Sequence, residues 1–187
     1  CLEALLPTQG KWRDLITVLN RKRENLTEPD RLLQLHTKTG DIYDKELHTG
    51  NMAIKYYEYA IDLAPRELDL IHILQRLYRE WGYYKKLIAL NQKEIQLIND
   101  KEHIICLHKE IGEVYEHRLY EGDQAVRAFE KLLELDVGNL EACRALARLY
   151  NEHQAWNKLI LVYQVLIEDA QKRSDTQEEI TIYLDLG

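Results

Sequence analysis

The sequence predicts an all-α solenoid of stacked antiparallel helix pairs, and three observations carry that expectation. Its 187 residues contain only three Pro and eight Gly. Leucine far outnumbers valine, which suits helices because straight-chain side chains lose little rotamer freedom there. Apolar residues recur at three- and four-residue spacing along the chain, as on the buried stripe of a helix. Finally, the chain repeats itself. Trp12-Arg13-Asp14-Leu15-Ile16, Tyr84-Lys85-Lys86-Leu87-Ile88 and Trp156-Asn157-Lys158-Leu159-Ile160 start 72 residues apart at each step.

The same offset aligns most of the chain without a gap. Leu35 and His36 fall on Leu107 and His108, Gly40 and Tyr43 on Gly112 and Tyr115, and Leu47 and Ala53 on Leu119 and Ala125. Glu58 and Leu63 fall on Glu130 and Leu135. Leu74, Arg76, Leu77 and Tyr78 fall on Leu146, Arg148, Leu149 and Tyr150. Each unit carries four helical patterns and is therefore two helix pairs.

In chain order, helices are predicted over 1–6, 11–25, 29–46, 50–64, 66–80, 83–98, 101–117, 122–135, 139–151, 154–173 and 176–187. Trp12, Tyr84 and Trp156 open second helices in register. Ile42, Leu47, Ala53, Tyr57, Ala60 and Ile61 form a buried stripe broken by the Thr49-Gly50-Asn51 turn. Pro65 is expected to open the next helix, where its missing N–H costs nothing. Gly82, and Gly138 before Asn139, stand where the chain leaves or enters a helix and positive φ is useful. Thr176 with Glu179 reads as a capping box.

Each helix pair resembles the tetratricopeptide repeat, with a small residue and Tyr on helix A, then Ala, an aromatic and Pro on helix B. Gly40, Tyr43, Ala53, Tyr57, Ala60 and Pro65 match that pattern. Gly112, Tyr115, Ala125 and Phe129 match it again, with Val137 in the place of the Pro. The other two pairs match more loosely, through Leu74, Tyr78 and Leu87 and through Leu146, Tyr150 and Leu159. The resemblance implies a right-handed superhelix forming one domain over 1–187. That domain holds about five helix pairs with partial ones at both ends: 1–25, 29–64, 66–98, 101–135, 139–173 and 176–187. Cys1 aligns with Ile73 and Ala145 inside a helix A, and Leu186-Gly187 with Ile111-Gly112 after a three-residue insertion. The chain is thus expected to be an excerpt of a longer array. The apolar face of 176–187, with Ile180, Ile182, Tyr183, Leu184 and Leu186, is expected to drive end-to-end self-association into a homo-oligomer.

Several functions are excluded by composition. A net charge of −7 argues against binding nucleic acid, which needs clustered Lys and Arg. The longest uncharged apolar run, Leu159 to Ile167, is far shorter than the roughly 20 residues that span a bilayer, so no membrane insertion is expected. No segment has the order of a signal peptide, and the expected location is cytoplasmic. Three Cys without paired spacing give no disulfide framework. His103 and Cys106 share a helix, but no further ligands converge on them, and no metal is expected. His36 and His108 read as packing histidines, and Cys143 as a small buried hydrophobe.

Catalysis is not expected. The chain's one serine, Ser174, lies in a loop, and there is no nucleophile elbow, phosphate-cradling loop or dinucleotide fingerprint. No cofactor is expected. Among the aromatics, Tyr43, Tyr78, Tyr115, Tyr150, Trp12, Tyr84 and Trp156 fall at packing positions and read as core. Tyr56, Tyr59, Tyr83 and Tyr120 lie off the pattern and read as surface.

The resemblance places function in a concave groove lined by A helices, where a protein or peptide partner would bind. Residues that project off the packing stripe form rungs: Thr37, Asp41 and Asp44; His72, Arg76 and Arg79; Lys109, Glu113 and Glu116; Arg144, Arg148 and Asn151. Acidic and basic rungs alternate. They either satisfy one another across helices, at about 0–1 kcal/mol each, or recognise a peptide carrying both charges; the two are compatible. The candidate partner-binding residues are Asp41, Asp44, Arg76, Arg79, Glu113, Glu116, Arg144 and Arg148. The lysine and asparagine set with which some relatives clamp the C-terminus of heat-shock chaperones is missing, since Thr37, Asp41, Ile73, Cys106 and Glu110 occupy those places. The expected role is a non-catalytic interaction scaffold. A structural or oligomerisation spacer, or the regulatory arm of a larger enzyme, are the alternatives.

Overall fold

A computed structural model describes residues 6–174 and 176–186, apart from the side chains of residues 178, 179, 183, 185 and 186. The helices are α1 (Trp12–Glu24), α2 (Pro29–Asp41), α3 (Gly50–Leu63), α4 (Leu68–Trp81), α5 (Tyr84–Ile95), α6 (Lys101–Val114), α7 (Gly122–Leu135), α8 (Leu140–Glu152), α9 (Trp156–Arg173) and α10 (Thr176–Leu186). No strand occurs among the described residues. The chain forms two compact units, Cys1–Leu97 with α1 to α5 and Ile98–Gly187 with α6 to α10. Each is a short solenoid in which consecutive helices pack on one another.

In the first unit, α1 buries Leu15, Ile16 and Leu19 against Leu35 of α2 and Ile42 just beyond it. Helix α3 turns Ala53, Tyr57 and Ala60 inward, and α4 turns Ile71, Leu74 and Leu77. Burying each such large aliphatic side chain contributes about 1.5–3 kcal/mol. In the second unit, Ala125, Phe129 and Leu132 of α7 meet Cys143, Leu146 and Leu149 of α8 and Leu159, Val162 and Leu166 of α9. Helix A lies so close to helix B that a Cβ on Gly112 would come within 2.7 Å of the Phe129 ring, and one on Gly40 within 3.0 Å of Tyr57. The small residue of the repeat is there to let the aromatic in.

Two features escape a reading of hydrophobic period. Helices α2 and α6 do not stay α-helical to their ends but widen into a π-helical turn, at Ile42–Glu46 and Tyr115–Leu119. Leu47 N–H reaches Ile42 O at 3.0 Å, five residues back, and the N–H of Tyr120 reaches Tyr115 O in the same way. The hydrophobic period predicts α-helix to residue 46 in the first case and to residue 117 in the second. Second, Pro65 lies in the turn before α4 and does not open it. Its helix begins only after Glu67, whose extended backbone forms the cap.

The connections use local chemistry. Asp100 caps α6, accepting from the N–H groups of Glu102 at 3.0 Å and His103 at 3.3 Å. Asn139 caps α8 by accepting from Ala142 N–H at 3.0 Å, so the side chain of Asn139 makes that start, and Gly138 does not take positive φ. Gly10, Gly82 and Gln154, spaced at the repeat length, all do, at 65°, 74° and 56°. The capping box at Thr176 and Glu179 involves a side chain outside the described residues.

The first unit also holds a polar network in its core. Gln75 donates to Asn91 Oδ1 at 3.0 Å and to Glu94 Oε2 at 2.5 Å, and all three are buried. His72 Nε2 lies 2.7 Å from Glu94 Oε1. A buried carboxylate is costly unless hydrogen-bonded, and these contacts supply that requirement. One repeat on, Ala147, Tyr163 and Leu166 occupy the places of Gln75, Asn91 and Glu94.

Candidate functional site

The predicted partner-binding residues lie on α2, α4, α6 and α8 and on the two π-helical turns. In the first unit, the π-helical turn that follows α2 carries Asp44, and Arg76 of α4 donates to it in a charge-assisted hydrogen bond. Arg76 also binds Glu80 of its own helix at 3.1 Å. The second unit repeats this contact: Arg148 of α8 binds Glu116 of the second π-helical turn at 3.1 Å. The acids are sunk, with side chains 14% and 12% exposed, while Arg76 and Arg148 are 44% and 56% exposed. Each guanidinium is thus fixed from below and open above.

The remaining predicted residues have other neighbours. Asp41 pairs with Lys45 at 2.6 Å and accepts from the buried Tyr57 hydroxyl at 3.1 Å. Burial, and then Asp41 itself, push the Tyr57 hydroxyl well above its ordinary pKa. Glu113 lies 3.9 Å from Lys109, whose main partner is Glu141 of α8. That bond raises the Lys109 pKa. The Arg144 carbonyl accepts from Arg148 at 3.5 Å, and Arg79 is exposed near the end of α4.

Around each acid–arginine pair the surface is hollow. In the first unit a cleft of about 430 Å³ is lined by Asp44, Lys45, His48, Arg76, Glu80 and Trp81, the indole lying over Gly50. In the second a cleft of about 240 Å³ is lined by residues including Glu113, Glu116, Arg144 and Arg148. Within either unit taken by itself, no three metal-ligating groups converge among the described residues.

No protein-family model matches the chain, and no curated protein matches it. Among solved structures it is similar to MamA, at 18% identity, with 94% of this chain and 98% of that one covered and a TM-score of 0.53. It is also similar to YrrB, described as a TPR (tetratricopeptide repeat) protein with an unusual peptide-binding site, at 13% identity over 80% of this chain and 75% of that one, TM-score 0.50. The fold is that of a tetratricopeptide-repeat protein.

Within that repeat, another constellation joins each helix B to the next pair. Glu58 of α3 accepts from Tyr78 of α4 at 2.8 Å and from Lys86 of α5 at 2.5 Å. Glu130 of α7 accepts from Tyr150 of α8 at 2.9 Å and from Lys158 of α9 at 2.7 Å. The bond from Lys158 lowers the Glu130 pKa despite burial. Each lysine also lies over its tyrosine, 5.8 Å and 5.5 Å from the ring centre. These ties were in the repeat alignment as identities of Glu, Tyr and Lys, but spacing alone did not show that three helices converge there.

The aromatic assignments need two corrections. Tyr56 is buried, stacked on Tyr43 at 5.4 Å and donating to Asn20 at 2.9 Å; it is not a surface residue. Trp156 is exposed and is not core. Tyr59, Tyr83 and Tyr120 are exposed and Tyr78 and Tyr150 buried, as the pattern predicted. Cys143 is buried and Cys106 exposed. His36 is buried with Nδ1 lacking a hydrogen-bond partner. Burial, and then Arg23, lower its pKa; burial, and then Lys131, do the same to His108.

Proposed function

We propose that the chain is a non-catalytic protein-interaction scaffold that holds a peptide or an extended partner segment along a groove lined by the A helices. Asp41, Asp44, Arg76, Arg79, Glu113, Glu116, Arg144 and Arg148 are its contact residues. The observation that supports this reading is the repeated pair, Asp44 with Arg76 and Glu116 with Arg148. A half-exposed pair of this kind contributes about 0–1 kcal/mol, so it adds little stability. It does hold two flexible arginines in one orientation, which lowers the ordering cost of binding. A carboxylate on the partner competes for the open guanidinium edge, and a basic residue for the acids beside it. Charge pattern then sets specificity and association rate.

The test is affinity capture with the intact chain and with the double variant Arg76→Glu/Arg148→Glu, analysed by mass spectrometry. The variant is expected to lose the captured set while its far-UV circular dichroism stays unchanged. Capture of the same set by both proteins would end the groove reading.

A further inference from the structure

A cleft of about 320 Å³ opens between α1, α2 and α3 in the first unit, lined by Arg23, Leu32, His36, Tyr59, Asp62 and Leu63. That is the low end of the range for small-molecule sites, about 300–1,000 Å³. His36 is 8% exposed, and its Nδ1 has no hydrogen-bond partner, although a buried polar atom normally finds one. Arg23 and Asp62 are both in the lining, yet neither forms an ion pair with the other or with any described residue. Elsewhere in this unit Arg76 and Lys86 each hold a carboxylate. Tyr59 and Leu63 are each 39% exposed. The Tyr59 ring lies 5.3 Å from the imidazole and stands edge-on to Tyr56 at 6.1 Å, which makes that wall aromatic. One repeat on, Ile95 and Lys131 take the places of Arg23 and Tyr59, so the repeat fold does not require this set.

We propose that the cleft binds a free α-amino acid with a large apolar side chain. Its carboxylate is held by Arg23 and His36, its ammonium by Asp62, and its side chain by Leu32, Tyr59 and Leu63. The ligand class follows from the lining. A lone carboxylate would leave Asp62 opposing it, and a lone amine would leave Arg23. A free amino acid carries both charges on one carbon, beside its apolar group. Burial, and then Arg23, hold the imidazole neutral at pH 7, so it has one N–H and one lone pair. The N–H suits a carboxylate oxygen, and such charge-assisted hydrogen bonds are about twice as strong as neutral ones. None of these residues belongs to the A-helix rungs, so the site stands apart from the peptide-binding reading.

Isothermal titration calorimetry of the intact chain with L-leucine, L-phenylalanine and L-tryptophan tests it. Saturable binding of one molecule per chain is expected for at least one of them, with a dissociation constant of about 1 mM or tighter. The N-acetyl and carboxamide forms of the tightest ligand should each bind about tenfold more weakly or worse. R23A and D62A should weaken binding to a similar extent with unchanged circular dichroism, and R76E/R148E should bind as the parent does. In two-bond 1H–15N spectra the His36 ring nitrogens should shift on saturation. No saturable binding up to about 10 mM, equal binding of the free and blocked forms, indifference to R23A and D62A, or unmoved His36 resonances would overturn the assignment.

Discussion

Gly112 and Gly40 occupy one repeat position, but their surroundings are unequal. The Phe129 ring crowds the first within 2.7–2.8 Å of a would-be Cβ, and the Tyr57 ring the second at 3.0–3.1 Å. Alanine normally stabilises a helix interior by about 1 kcal/mol over glycine. At Gly112 the overpacking cost of about 1–3 kcal/mol outweighs that gain. Gly112→Ala is therefore expected to lower the urea midpoint, and Gly40→Ala to lower it less. The histidines give a pH signature. The pKa values of His36 and His108 lie below the ordinary 6.5, first because His36 is buried and His108 half-buried and then because Arg23 and Lys131 lie near them. As pH falls through 6.5, the unfolded chain takes up protons that the folded one refuses, so stability is present above that value and is lost below it. The melting temperature should drop between pH 7 and 5, and the double variant His36→Leu/His108→Leu should flatten the slope. An unchanged slope would show that other groups set it.

At the scale of elements, the position shared by Gly10, Gly82 and Gln154 is left-handed in each copy. A residue with a Cβ holds that conformation at a cost of about 1–2 kcal/mol. Gln154→Gly is expected to raise the thermal midpoint by a corresponding amount, read by calorimetry. The helices themselves were legible in the sequence, since packing stripes and the Trp or Tyr that opens α1, α5 and α9 need only one chain to be seen. The π-helical turns were not. Residues 42–46 and 115–119 carry no local mark of the extra residue in each turn. The core network was hidden for another reason: Gln75, Asn91 and Glu94 depart from the apolar residues one repeat later, and that departure between copies was the readable signal. The rung residues were found by position on the helix, whereas the pairing of Asp44 with Arg76 and of Glu116 with Arg148 needed coordinates.

At the scale of the molecule, each unit carries its own buried apolar residues, and repeat arrays derive stability from neighbour to neighbour. Residues 98–187 produced alone are therefore expected to keep a helical spectrum and a cooperative urea transition; a featureless, non-cooperative melt would refute this. The tyrosine ties extend the same logic to alkali. Burial, with a carboxylate as acceptor, raises the pKa of Tyr57, Tyr78 and Tyr150 above the usual 10.0. Beyond pH 10 the unfolded chain sheds phenolic protons that the native one keeps, and each further step in pH favours unfolding. Absorbance of phenolate during a base titration should show these three ionising together with the loss of helix, later than the exposed tyrosines. A stability plateau is then expected, bounded by imidazoles on its acid flank and by phenols on its basic flank.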